Sequence, residues 1–229
     1  MQGDESSLEY FCGKRILIIA PHNDDEVIGC WHFMSSLSHR AHIEIVFATH
    51  TKDNRDLIKT RRNESRLALA GLQICGIRYW DIEDGQAAAE RNAIISELEG
   101  LKDEWDYILC TAPNDRTPDH RTIGSLLALH IPLEKLLWYR STWWTFTPRS
   151  ADFKVTGDFA GKQLALACFE SQRGIALSRS VRFSQIEELV ASGNLRSTER
   201  FKFASDDNLA IAPLNSISPY HLPRLLFWR

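Results

Sequence analysis

Five short apolar runs punctuate the first 140 residues, and stretches with helical periodicity separate them. Arg15-Ile16-Leu17-Ile18-Ile19-Ala20 is β-branched and nearly uncharged, as a strand buried on both faces must be. Residues 41–49 alternate and then run apolar, and 77–82, 105–111 and 136–140 repeat the theme. Between the first two runs, Val27, Ile28, Cys30, Trp31, Met34 and Leu37 recur at helical spacing over 25–38. Residues 53–73 carry charge on one face and Leu57, Ile58, Leu67, Leu69 and Ala70 on the other, which predicts a second helix. Further helices are predicted over 87–101 and from Pro118 to about His130. Gly76 and Asp84-Gly85 mark breaks between elements. Strands alternating with helices predict an α/β fold: a Rossmann-like, mostly parallel sheet with helices on both faces and right-handed crossovers. In such sheets ligands bind at the carboxyl ends of the strands.

After residue 145 the pattern weakens. Helices are predicted over 160–173 and 183–192, and 193–229 is irregular, with Pro213, Pro219 and Pro223. Residues 1–13 are polar and read as a loose arm. The simplest organisation is one domain over 1–229, with a core at about 14–145 and a C-terminal elaboration at about 146–229. The segment from Leu222 to Trp228 is rich in Leu, Phe and Trp, with Arg224 and Arg229. It is expected to dock on the body or at a subunit interface, and a homo-oligomer stays open.

The chemistry concentrates where the first strand ends. Pro21-His22-Asn23-Asp24-Asp25-Glu26 packs one imidazole and three carboxylates into five residues. Such charges repel unless a cation or the positive end of a helix offsets them. His with Asp is a natural ligand set for zinc. Asp-Asp-Glu before an apolar run also reads as a helix cap with an acidic first turn. A second stretch, from Cys110 to His120, leaves the fourth strand and enters a helix at Pro118, a favoured first position. Asp119 and His120 then lie in its first turn. If the first and fourth strands are neighbours, His120 faces His22 and Asp25. Two histidines and one carboxylate make a three-ligand zinc site with a position open for water. Such a site is hydrolytic in character, because the metal lowers the pKa of its water to about 7. The plainer alternative has Thr117 capping the helix, Asp119 complementing its dipole and His120 as a partly buried polar residue.

Composition narrows the partners. A net charge of −3 gives no basis for nucleic acid or an anionic membrane as partner. No apolar run approaches the roughly 18–20 residues of a membrane span. The acidic N-terminus lacks the basic-then-apolar order of a signal peptide. Five cysteines without a Cys-x-x-Cys pair read mostly as buried free thiols in a reducing compartment. These features predict a cytoplasmic protein.

His-x-Asp-Asp-Glu after the first strand, with Pro-Asp-His about a hundred residues later, resembles the PIG-L/LmbE-like zinc-dependent N-deacetylases. Arg61-Arg62-Asn63-Glu64 looks like the family's Arg-x-x-Glu helix, and Asp84-Gly85 like its Asp-Gly turn. Lys162 with Phe169-Glu170-Ser171-Gln172, and Glu199-Arg200-Phe201, complete a resemblance covering about residues 15–203. It implies removal of an N-acetyl group from an N-acetylglucosamine-type sugar carried on a lipid, a thiol cofactor precursor, an antibiotic or an oligosaccharide. By resemblance His22, Asp25 and His120 bind Zn2+ or another divalent metal, and Asp24 is the general base. Arg62 and Asp84 are implied to hold substrate hydroxyls, although as bare residues they also suit a solvated salt bridge. Lys162 and Gln172 are expected to be structural.

The chain departs from the family pattern in several places, of which Asn23 for Pro matters little. Thr117 stands where the family has a histidine that stabilises the tetrahedral oxyanion, and loss of one such donor can cost about 10²–10³ in rate. Asp119, which would orient that histidine, is left without its usual partner; Arg116, His50 or His221 are the candidate substitutes. Asn23 replaces the commoner Pro, and Trp31-His32 replaces Gly-Gly, which alters packing beside the first helix. Trp143-Trp144 could wall a sugar site or fill the core. Two other functions therefore stay open: a metal-dependent amidase on a non-sugar substrate, and a catalytically weakened sugar-binding relative.

Overall fold

The computed structural model describes residues 4–52, 54–101, 103–141, 145–175, 178–193 and 196–205. Its five parallel strands are β1 (Arg15–Ala20), β2 (His42–His50), β3 (Gly76–Glu83), β4 (Tyr107–Thr111) and β5 (Leu136–Tyr139). They lie in the order β3-β2-β1-β4-β5. β1 pairs with β2 on one side and with β4 on the other, so the strand order reverses between β1 and β4. That reversal opens a crevice at the carboxyl ends. Side chains alternate across the sheet. Leu17, Ile19, Ile108 and Cys110 face one core with Ile94, Leu98 and Ile123. Ile16, Ile18, Tyr107 and Leu109 face the other with Phe33, Met34 and Leu37. The helices supplying those residues are α2 (Asp25–Leu37), α4 (Arg91–Glu99) and α5 (Pro118–His130), so both faces are covered. The remaining helices are α1 (Asp4–Glu9), α3 (Arg55–Leu69), α6 (Phe159–Ala167) and α7 (Ser178–Ser192).

The structure corrects the sequence reading in several places. Residues 1–13 are not all a loose arm: α1 leads into Leu8 and Phe11, both buried, and the Phe11 ring meets Phe33 and Tyr107 at 5.2 Å. The helix predicted over 160–173 divides into α6 and a 3-10 turn at Glu170–Ile175. Two strands went unforeseen. β6 (Phe153–Gly157) and β7 (Ser197–Phe203) extend the sheet antiparallel beyond β5, in the order β5-β7-β6. β7 escaped a hydrophobic reading because Thr198, Glu199 and Arg200 are buried polar residues. Ion pairs from Lys162 to Glu199 and from Glu188 to Arg200, at 2.6 and 2.7 Å, offset the cost of burying those charges. Only Cys30 and Cys110 among the five cysteines are buried, and all five are free. Among the described residues no helix is long and apolar enough to cross a membrane. Trp143-Trp144, His221 and the segment Leu222 to Arg229 lie outside the described residues.

Candidate metal and active site

β1 delivers the turn His22–Asp24, and α2 begins at Asp25. Asp24 occupies the N-cap position with φ 143°, a backbone conformation few side chains adopt. Its carboxylate makes no capping bond. The cap reading of Asp-Asp-Glu therefore does not account for it. Glu26 instead reaches back and accepts the Asp24 N–H at 2.9 Å. Asp25 Oδ2 accepts the His22 N–H at 3.0 Å, which folds the turn onto itself. A ring of polar contacts supports the loop: Asn23 donates to Ser65, Gln172 donates to the Asn23 carbonyl, and Glu64 accepts the Ser171 N–H and hydroxyl.

From the other side of the crevice, α5 brings in His120. Gly124 lets α5 approach β4: a Cβ there would lie 2.5 Å from the Thr111 carbonyl oxygen. Asp25 Oδ2 then lies 3.0 Å from His120 Nε2 and 3.3 Å from His22 Nδ1, and the two ring nitrogens are 3.0 Å apart. The three donors form one cluster, the arrangement expected if β1 and β4 were neighbours. The His22 side chain is 23% exposed, against 5% for those of Asp25, Asp119 and His120, so the cluster opens to solvent past His22.

Do these donors suit a divalent cation? Ligands about 2.0–2.1 Å from a tetrahedral zinc are separated by roughly 3.3 Å, close to the triangle observed. The outer ring nitrogens face carboxylates: His22 Nε2 lies 3.2 Å from Asp119 and His120 Nδ1 lies 3.1 Å from Asp115. Outer N–H groups held by carboxylates leave the inner nitrogens with lone pairs. Two such lone pairs and a carboxylate oxygen converging on one point repel unless a cation shares them. The charge balance agrees. Burial lowers the His120 pKa, but the Asp25 and Asp115 carboxylates overcome it and raise it to about 9. His22 is likewise raised well above its ordinary value: Asp119 and Asp25 outweigh burial. Burial pushes Asp25 up, but His120 and His22 outweigh it and hold the carboxyl well below the usual range. The pocket thus collects positive charge, and a 3.0 Å gap between two ring nitrogens holds at most one proton. The residues fit a divalent ion.

Beside the ligands, burial and then the Asp25 charge push the Asp24 carboxyl up to about 8. Burial and then Asp24 push Glu26 well up too. Asp119 has a partner after all. Its carboxylate meets His22 and accepts N–H groups from Gly85 at 2.6 Å and Ala87 at 3.2 Å, tying the Asp84-Gly85 turn to the centre. Thr117 stands at the N-cap of α5 without a side-chain capping bond, and its N–H donates to Asp115 at 2.8 Å.

The structure does not bring Arg62 to Asp84. Arg62 lies over the Tyr79 ring at 4.2 Å and pairs with the exposed Asp81 at 3.5 Å. Arg61 contacts Asp84 at 3.3 Å, and Thr49 donates to the same carboxylate at 2.7 Å. Neighbours on a helix point about 100° apart, so the two arginines reach different partners. An Arg-x-x-Glu spacing counted back from Glu64 falls on Arg61, a signal present in the sequence. Asp115 was also passed over; an Asp just before a Pro-initiated helix is an Asx-turn signal. The Trp31-His32 pair packs toward the C-terminal elaboration. His32 bonds Ser197 at 2.7 Å and fills the space that a side chain on Gly157 would need.

Comparisons with known proteins bear on the fold and the family. Among curated proteins none matches the chain in sequence. Several solved structures share its fold. A conserved protein from Thermus thermophilus is 16% identical with a TM-score of 0.66, covering 89% of this chain and 100% of its own. The N,N'-diacetylchitobiose deacetylase from Pyrococcus horikoshii is 19% identical with a TM-score of 0.59, covering 91% and 92%. A 4-carboxy-2-hydroxymuconate hydratase from Pseudomonas putida is 12% identical with a TM-score of 0.60, covering 82% and 95%. A family model described as PIG-L, GlcNAc-PI de-N-acetylase, matches residues 17–130, which include both stretches that form the cluster. The chain belongs to the PIG-L family of de-N-acetylases.

Proposed function

We propose that the protein is a cytoplasmic, metal-dependent hydrolase that removes an N-acetyl group from an N-acetylglucosamine-type sugar conjugate. The observation that carries this reading is the His22–Asp25–His120 donor triangle with the uncapped, buried Asp24 beside it. A divalent cation, zinc by its donor set, supplies Lewis-acid polarisation of an amide carbonyl and of water when bound there. Asp24 accepts the proton of the attacking water and passes it to the departing nitrogen. The C–N bond breaks, and acetate and an amine leave. Thr117, at the N-cap of the helix that carries His120, offers a neutral hydroxyl toward the oxyanion in place of an imidazole. Asp84, with Arg61 rather than Arg62, holds the sugar hydroxyls. The domain acts as one unit over residues 1–229.

The test is acetate release from a panel of acetamido-sugars by the zinc-loaded protein. Asp24→Asn is expected to lose about 10²–10⁴-fold in rate, the usual contribution of a positioned base. A full-rate Asp24→Asn would overturn the mechanism. Thr117 favours a second reading, a weakened enzyme that binds N-acetylhexosamines without efficient turnover. Under it Thr117→His raises the rate; a lower rate than wild type refutes it. The hydratase among the structural neighbours marks how far chemistry can vary on this fold, so non-sugar amides belong in the panel.

A further inference from the structure

We infer that Asp115 is a positioning residue for the metal centre, holding His120 in the one tautomer that can ligate. The inference rests on the proposed metal site and deepens it. Asp115 lies five residues before His120, in the turn between β4 and α5, and its side chain is fully buried. Two contacts of its carboxylate bear on the centre. Oδ1 accepts the Thr117 N–H at 2.8 Å and shapes the turn. Oδ2 lies 3.1 Å from His120 Nδ1 and accepts its N–H. With the proton fixed on Nδ1, Nε2 carries the lone pair, and that nitrogen faces Asp25 Oδ2 at 3.0 Å and His22 Nδ1 at 3.0 Å. Asp119 stands in the same relation to His22 from the opposite side, at 3.2 Å. Each imidazole thus has its own carboxylate, both supplied by the segment that enters α5. A carboxylate behind a ligating histidine fixes the ring and raises its basicity, and its loss commonly costs about 10–100-fold in metal affinity.

The alternative is that Asp115 merely shapes the turn. An Asp115→Asn substitution separates the two. Asparagine keeps the size and one oxygen; if that oxygen still accepts the Thr117 N–H, the amide NH2 faces His120 Nδ1 and opposes the ligating tautomer. Zinc affinity of the metal-free full chain is measured by competition with a chromophoric chelator, for wild type, Asp115→Asn, Asp115→Ala and His120→Ala. Long-range 1H–15N spectra of the zinc-loaded forms report which ring nitrogen bears the proton. Wild type is expected to bind one zinc, with His120 protonated at Nδ1. Asp115→Asn and Asp115→Ala are expected to bind about 10–100-fold more weakly with native circular dichroism. Wild-type affinity and an unchanged His120 signature in Asp115→Asn would overturn the role of Asp115 and leave the metal site standing. No zinc bound by the wild type would overturn the site itself, and the inference with it.

Discussion

The adjacent pair Asp24 and Asp25 shows how much one residue's environment decides. The same side chain, one position apart, is pushed up to about 8 at Asp24 and held well below the usual range at Asp25. Both are buried and both feel the two imidazoles, but only Asp25 is hydrogen-bonded to them, whereas the Asp25 charge opposes ionisation of Asp24. That difference between the two carboxyls cannot be read from two consecutive letters. His32 offers a test at the same scale. Burial, against the opposing Glu199 charge, pushes its imidazole down to about 4. A histidine depressed in the folded state binds fewer protons there than in the unfolded chain, so stability rises with pH between about 4 and 6.5. The stability present above 6.5 is lost on acidification, by up to about 3 kcal/mol from this group. In urea unfolding at a series of pH values, His32→Gln should flatten that slope. An identical slope in both proteins would show that His32 does not titrate this way.

At the scale of elements, the site exists because two strand-to-helix turns meet across the β1/β4 reversal. α5 must lie against β4 for His120 to reach Asp25, and Gly124 permits it. Gly124→Ala adds helix propensity worth about 1 kcal/mol. It also drives a methyl into the Thr111 carbonyl oxygen, an overpacking cost of roughly 1–3 kcal/mol. Net destabilisation in urea unfolding and weaker zinc binding are expected together. A more stable variant with unchanged affinity would show that α5 has room to spare. The helix periodicity that revealed α3 also hid which arginine faces inward, since Arg61 and Arg62 differ by about 100° in direction and share one pattern.

At the scale of the whole molecule, the C-terminal part is locked to the core by charges in its interior. Lys162 of α6 pairs with Glu199 of β7 at 2.6 Å and donates to the Ile28 carbonyl of α2, while Glu199 accepts N–H groups from His32 and Phe33. Three elements distant in sequence meet at one buried pair. Lys162→Met leaves Glu199 without its cation and should cost about 3–5 kcal/mol, read from the urea midpoint. Adding Glu199→Gln should recover part of that loss. No effect from Lys162→Met alone would mean that the pair is solvated. The five parallel strands, the helices between them and the two chemically loaded turns were legible in the order of residues alone. Those features are local: apolar periodicity and turn residues report burial and backbone directly. The spacing of the two motifs also carried the family resemblance. Other features needed the folded chain: that β6 and β7 extend the sheet, that Arg61 rather than Arg62 meets Asp84, and that Asp115 and Asp119 stand behind the two histidines. Most of those depend on a polar group finding a partner from a distant part of the chain, and even the short-range pair of Asp115 with His120 is made by the fold of a turn; polar pairing leaves no periodicity in sequence.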